Sequence, residues 1–421
     1  MTAGTYQEYR SVGGSKWPGR IPAHWEHKRL SYLAFLKSGE AITSEEIEDI
    51  GPYPVYGGNG IRGYCDRYTH DGEFVLIGRQ GALCGNVNYA RGKFWASEHA
   101  VVVKPVQCFA VRWMGELLAA MNLNQYSISA AQPGLSVAAI KALRIPVPPL
   151  GEQRKIADFL DGETVSIDAL IAKKARFIEL LKEKTQTLIT HAVTKGLDPN
   201  VKMKNSGENW LENIPAQWDV VPSNRFFPES KERAHEEDEH LSATQKYGVI
   251  PLAEFERLEG RQVTHAEKNL EQRKHVEVDN FVISMRSFEG GIERVKARGC
   301  IRSSYIALVA DKRAHVGFFS YLFKSSAYIQ GLQATAMFIR DGQDLNYNNF
   351  RQVKLPFPSF DEQRMIADFL DREVSKNSAL IAKTEGAINK LLEYRSTLIS
   401  AAVTGQIDVR NYRAQGVPSC P

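Results

Sequence analysis

The chain has 421 residues, 43% hydrophobic and 24% charged, the balance of an ordinary globular protein with room for two to four domains. Its net charge of +4 permits nucleic-acid binding without arguing for it. No run of about 18 apolar residues occurs and the N-terminus lacks an apolar segment, which argues against a transmembrane helix and a secretory signal, while an odd number of cysteines without CxxC spacing leads us to expect a reducing cytoplasm.

In chain order, residues 1–16 are polar and Gly-rich and read as a loose tail. Residues 17–25 (WPGRIPAHW) open a first globular segment, residues 17–150. Phe74–Ile77 and Val101–Val103 are short apolar, β-branched runs, and glycines punctuate the sequence around them. One helix is expected near Val111–Met121, in a domain that is otherwise mostly β. Pro146, Pro148 and Pro149 then lead into a helix over residues 151–195, since a residue before proline is pushed to extended geometry. Residues 196–209 have the Gly/Pro/polar composition of a linker. The second half starts with residues 210–218 (WLENIPAQW), sharing the frame W-x-x-x-I-P-A-x-W, and its globular segment covers residues 210–360. There the sequence predicts a strand–turn–strand over Phe281–Ile292, a strand over Ser303–Val309, and a solvated acidic stretch over residues 231–240. A second long helix, residues 361–405, follows an S-x-x-E capping pattern at Ser359 and Glu362, and residues 406–421 read as a frayed tail.

The two long helices are near copies. Residues 152–161 (EQRKIADFLD) return as 362–371 (EQRMIADFLD), and the offset of 210 holds for ALIAK, TLI and AVT further along. The openings are offset by only 193, so the second middle segment is longer by 17 residues. A faithful frame around divergent middles suggests two copies of one unit that recognise different things. The first helix carries a heptad-like stripe through Leu160, Ile167, Leu181 and Leu188, with Lys174 completing the series and Leu170, Ile171, Phe177 and Ile178 beside it. The second keeps Leu370, Leu380, Ile381, Ile388, Leu391 and Leu398 in phase, with Asn377 and Thr384 on the same seam. A helix over residues 156–193 spans about 57 Å at 1.5 Å per residue, and a stripe of that length needs a partner. The other copy is the obvious one, in a two-helix coiled coil.

Catalytic signatures are missing. Residues 58–63 (GNGIRG) match GxGxxG, but prolines interrupt the approach and no helix follows, so a Gly-rich hairpin tip is the simpler reading. His235 and His240, five apart, sit about 140° apart on a helix and do not share a metal there. Residues 134–138 (GLSVA) fall short of a nucleophile elbow. Five cysteines without CxxC spacing argue against structural zinc and a disulfide frame. These absences point to binding. Arg, Asn and Gln are the residue types that read base edges, and Lys and Arg neutralise phosphates. The candidates for DNA contact are Asn59, Arg62, Tyr64, Arg79 and Gln80 in the first middle, and Arg286, Ser287, Arg294, Arg302, Arg340, Gln343 and Asn346 in the second.

The duplicated helix starts and ends, the paired W-x-x-x-I-P-A-x-W openings, PVYGGNGIRGY (residues 54–64) and FVISMRSFEGGIE (residues 281–293) together resemble the specificity subunits of type I restriction–modification systems, over essentially the whole chain. The resemblance implies an α+β fold: two mostly β or α+β target recognition domains held apart by two long antiparallel helices in a coiled coil, with an internal pseudo-twofold repeat. It implies a non-catalytic subunit that recognises a bipartite double-stranded DNA target and docks two DNA methyltransferase subunits and restriction (translocase/nuclease) subunits. Cofactors then belong to the partners: S-adenosylmethionine to the methyltransferase, ATP and magnesium to the restriction subunit. Two other classes stay open: a non-catalytic two-domain coiled-coil scaffold for another nucleic acid or protein, and an enzyme with an unrecognised site in a β-rich middle.

Overall fold

Each long helix begins where prolines stop forcing the chain to be extended. The computed structural model describes residues 4–12, 17–81, 83–127, 134–262, 272–284, 287–335 and 346–412, with long helices at Leu150–Lys195 and Phe360–Val403. Ser359 Oγ accepts from Glu362 N at 3.3 Å, one arm of the expected capping box. Contacts divide the chain into two units: residues 1–175 with 385–421, and residues 176–384. Each unit therefore contains the first part of one long helix and the last part of the other. Among the described residues no helix is long and apolar enough to cross a membrane.

In the first unit a six-stranded sheet runs in the order Ala34–Ser38, Ala100–Pro105, His70–Gly78, Val87–Ala96, Tyr53–Gly57, Gly60–Cys65. The pairings are antiparallel except that of Tyr53–Gly57 with Val87–Ala96. Side chains alternate across it: Val75, Ile77, Val101 and Val103 join the main core, while Leu76 and Val102 pack with Ala90 and Phe94 on the other face. Burial on both faces explains why these runs read as continuous apolar segments rather than alternating ones. The helix Val111–Ala120, where the sequence predicted one, buries Trp113, Met114, Leu117 and Leu118 in the main core. Ile156, Leu160 and Ile167 of the first long helix share that core with Leu398, Ile399, Ala402 and Val403 of the second. Arg395 forks onto Asp168 at 2.9 and 3.2 Å.

Neither expected tail is loose over its described part. Tyr6, Val12 and Val409 are buried, Tyr9–Ser11 pairs with Arg20–Pro22, and Gly4 bridges Asp408. Isolated apolar residues in polar surroundings leave no periodicity, yet here they fill the surface of Trp25 and the long helices.

In the second unit Glu229–Ser230, Ile306–Leu308, Phe281–Ile283 and Glu293–Arg294 form an antiparallel sheet in that order. Among the described residues of the span expected as strand–turn–strand, only Phe281–Ile283 is a strand; a helical turn, Ser287–Gly290, follows, the return strand Glu293–Arg294 begins just past Ile292, and the strand expected over residues 303–309 shrinks to Ile306–Leu308. Its core is aromatic: Phe227 touches the rings of Phe281, Phe319, Phe323 and Phe350. Ile189, Ala192 and Val193 of the first long helix meet Ile366, Ala367 and Leu370 of the second there. Asn377 Nδ2 donates to Thr185 Oγ1 at 2.9 Å. Met203–Asn205, inside the presumed linker, pairs with Asn213–Pro215.

The long-helix stripe is narrower than expected. Leu160, Ile167, Leu181, Leu370 and Leu398 are buried, and Leu188, Ile388 and Leu391 half-buried, but Leu170, Phe177 and Leu380 are about 40% exposed. The buried and half-buried positions step by four and three, through Leu160, Thr164, Ile167 and Ile171 in the first unit and Ile178, Leu181 and Thr185 in the second. Leu170 and Phe177 each precede a seam residue and lie about 100° round the helix from it. We predict that Leu181→Ala lowers stability by about 2–5 kcal/mol, whereas Leu170→Ala stays within about 0.5 kcal/mol, measured by urea unfolding.

Candidate nucleic-acid interface

The first unit gathers its polar candidates at one end of the six-stranded sheet. Tyr53–Gly57 and Gly60–Cys65 form a hairpin whose tip is Gly58–Asn59, the hairpin tip expected for GNGIRG. The tip folds onto the end of the His70–Gly78 strand so closely that a Cβ at Gly78 would lie 1.9 Å from Gly58 O. Only glycine fits that approach. Asn86 Nδ2 donates to Asn59 Oδ1 at 2.7 Å, holding the exposed Asn59 amide in place. Arg79 N donates to His99 O at 2.8 Å, Arg79 Nη1 reaches Ser38 Oγ at 3.3 Å, and Gln80 bridges Gly134. Asn59, Arg79, Gln80, Asn86 and His99 thus converge. Arg79 and Gln80 also line a groove of about 440 Å³ with Gly134, Leu135, Ser136, Val137 and Ala138, the stretch that fails as a nucleophile elbow. Arg62 and Tyr64 lie apart from this cluster, on the edge strand. Arg62 is exposed with its stem over Gly57, and Tyr64 is half-buried with its backbone paired to Glu48. Burial, with Tyr64 adding to it, raises the Tyr56 hydroxyl above its ordinary pKa.

The second unit scatters its candidates. Arg302 is exposed and lines a cleft of about 860 Å³ with Thr244, Gln245, Tyr247, Ser284, Glu293 and Tyr305. Arg294 is held by Asp279, with Nε 2.8 Å from Oδ1. Two candidates are structural. Ser287 is fully buried, and its Oγ accepts from Ser284 N at 2.9 Å. Asn346 caps the helix Tyr347–Gln352, accepting from Asn348 N and Asn349 N. Their polar atoms satisfy the local backbone, the commonest use of such residues at turns. Arg286, Arg340 and Gln343 lie outside the described residues. Gln245, Tyr247 and Tyr305 escaped the sequence reading because single polar residues on a short strand and a turn carry no pattern.

The cleft has a buried acid. Glu293 pairs with Lys324, whose Nζ also donates to Gln245 O at 3.1 Å. Burial raises the Glu293 carboxyl above its ordinary value of 4.5, against the pull of Lys324. The folded chain holds this proton where the unfolded chain has lost it, so stability from this group falls as pH rises above 4.5 toward the raised value. Glu293→Gln should flatten that part of the profile, seen as a smaller loss of urea stability between acid and neutral pH than in the parent chain.

Residues 22–179 match the family model of the type I restriction modification DNA specificity domain. The type I restriction enzyme EcoprrI specificity subunit of Escherichia coli is 46% identical over 140 residues, 32% of this chain and 35% of that one. A putative type I restriction enzyme specificity subunit of Haemophilus influenzae is 34% identical over 143 residues, so the chain spans about a third of the length of both relatives. The putative MjaX specificity subunit of Methanocaldococcus jannaschii is 25% identical over 93% of this chain and 96% of its own. The HsdS subunit from Thermoanaerobacter tengcongensis has the same fold at 15% identity, TM-score 0.52, over 93% of this chain and 100% of that one. A solved chain from a type I R-M system aligns with TM-score 0.68 at 15% identity over the same shares. The matched stretch is a DNA-specificity domain. Over residues 22–179 the chain matches the DNA specificity domain of type I restriction–modification systems, and along nearly its whole length it is similar to a specificity subunit of that kind.

Proposed function

We propose that this chain reads a bipartite duplex DNA target, each unit's globular part reading one half. The paired long helices act as the spacer, an internal pseudo-twofold repeat relates the halves, and residues 17–150 and 210–360 are the two target recognition domains. The observation that carries this reading is the recurrence of one frame around unlike cores. In each unit a buried glutamine clamps the start of one long helix, and a glycine at the end of the other packs on a Pro–Trp pair. Antiparallel pairing is supported by the contacts inside each unit, which join the early part of one helix to the late part of the other. The chain itself does no chemistry. Two methyltransferase subunits with S-adenosylmethionine methylate adenine, and restriction subunits with ATP and magnesium translocate and cut, all in the cytoplasm. Readers approaching the major groove from one side are spaced by about 34 Å or a multiple, a distance a stiff helix pair can fix.

The test is to co-express the chain with its methyltransferase and map where adenines become methylated. A split sequence with a constant gap is expected, and replacing residues 26–145 by those of another family member should change one half alone. Change in both halves would refute independent readers. Removing one heptad from both long helices should alter the gap, and an unaltered gap would refute the spacer. Arg302→Ala should weaken binding by about 1–3 kcal/mol and relax specificity in the second half if it reads a base.

A further inference from the structure

The acidic stretch over residues 231–240 is not merely a solvated loop. It folds against the strand Lys274–Val276 and places two histidines and several carboxylates around one point. His235 meets not His240, a pair that the sequence spacing already set aside, but His275 on the neighbouring strand. The rings of His235 and His275 stand edge to face, 4.5 Å apart. Ligand atoms of Glu232, His235 and His275 all lie within 4.8 Å of one another. His235 Nε2 is 3.1 Å from Glu232 Oε1.

Asp238 organises the cluster from beneath. Its side chain is 1% exposed and that of His275 4%. The Asp238 carboxylate accepts from His235 N at 2.9 Å and lies 2.8 and 3.0 Å from His275 Nδ1. An imidazole that gives its Nδ1 proton to a carboxylate is fixed in orientation, and once Nε2 sheds its own proton that nitrogen is the one offered to a metal. His275 Nε2 faces Glu277 Oε1 at 3.1 Å. Arg298 faces the same Glu277 oxygen, at 3.5 Å, and Glu237 at the same distance, so Glu277 keeps a cationic partner when a metal replaces the Nε2 proton. Two carboxylates, Glu232 and Asp238, balance the charge of a divalent ion.

We propose that Glu232, His235 and His275 form a binding site for one divalent transition-metal ion of the zinc class, with Asp238 orienting His275 from behind and water in the fourth position. Two imidazoles and a carboxylate suit zinc, and carboxylate-buttressed histidine is the usual support for such an ion. The ion fastens the loop between Glu229–Ser230 and Leu241–Thr244 to the Lys274–Val276 strand. That loop leads directly into the wall of the 860 Å³ cleft, which includes Leu241 to Thr244. The inference stands on this cluster alone and does not need the DNA-reading role.

The experiment is equilibrium dialysis of the full chain against Zn²⁺, with Co²⁺ absorption as the spectroscopic probe. One ion per chain is expected, with tetrahedral d–d bands and no thiolate charge transfer. Glu232→Gln and His235→Ala, both at exposed positions that leave the core intact, should each weaken Zn²⁺ binding at least about tenfold, and Asp238→Asn by about 10–100-fold. His191→Ala, an exposed histidine on the first long helix, should leave it unchanged. Equal affinity in the parent chain and His235→Ala, absence of binding, or a thiolate band abolished by Cys108→Ser would each overturn the assignment.

Discussion

A side-chain amide at the first turn of each long helix ties that helix to its globule. Gln153 Oε1 accepts from Ala110 N at 3.1 Å, while its Nε2 donates to Pro148 O at 2.9 Å. Gln363 does the same with His315 N at 2.7 Å and Pro358 O at 2.9 Å. Ala110 and His315 are the residues that begin the globular helices Val111–Ala120 and Val316–Leu322, whose first N–H groups have no partner within their own helix. A glutamine amide puts a donor and an acceptor on separate atoms of one neutral group, with the reach to serve both partners at once. Both glutamines are buried, so an orphaned donor or acceptor here costs about 1–3 kcal/mol. This constraint explains why EQR and not merely an apolar stripe is copied between the halves.

The opposite helix ends obey a second rule of the same kind. Gly196 and Gly405 have φ of +78° and +75°, the left-handed turn that stops a helix. A Cβ on Gly405 would lie 2.4 Å from Pro22, and one on Gly196 would lie 3.4 Å from Trp218. The Pro and second Trp of each W-x-x-x-I-P-A-x-W frame are thus the seat for a helix end. Polar chemistry at that seat has diverged. In the first unit Glu152 receives Trp25 Nε1 at 3.0 Å, His24 at 2.9 Å and the Tyr6 hydroxyl. In the second, Glu362 N is capped by Ser359, and the buried Trp218 Nε1 has no hydrogen-bond partner among the described residues.

How much of this was legible in sequence follows from period and repetition. The long helices, the Val111–Ala120 helix and the central strands announced themselves because burial repeats at fixed spacing. The stripe was read one residue too wide at Leu170, Phe177 and Leu380, since leucine and phenylalanine look the same to a pattern whether they face a seam or solvent. The tails were misread because Tyr6, Val12 and Val409 act singly. Ser287 and Asn346 were read as recognition residues because the side-chain chemistry that addresses bases also caps turns and helices. The His235–His275 pairing was out of reach altogether, since 40 residues separate them and only tertiary folding joins them.

A frame of this kind separates two demands that usually conflict. The groups that fix geometry are buried or half-buried and costly to change: the glutamine clamps, the terminal glycines and the Thr185–Asn377 pair on the helix seam. Polar pairs on such a seam lower stability relative to leucine but reject shifted registers, where a buried amide or charge would lose its partner. The groups that face outward, such as Asn59, Gln80 and Arg302, hang on a hairpin tip, a loop and a cleft wall, where a substitution removes no core contact and typically costs about 0.5 kcal/mol or less. Such outward residues can therefore change freely while the frame does not, which is why the halves agree in their helices and disagree between them.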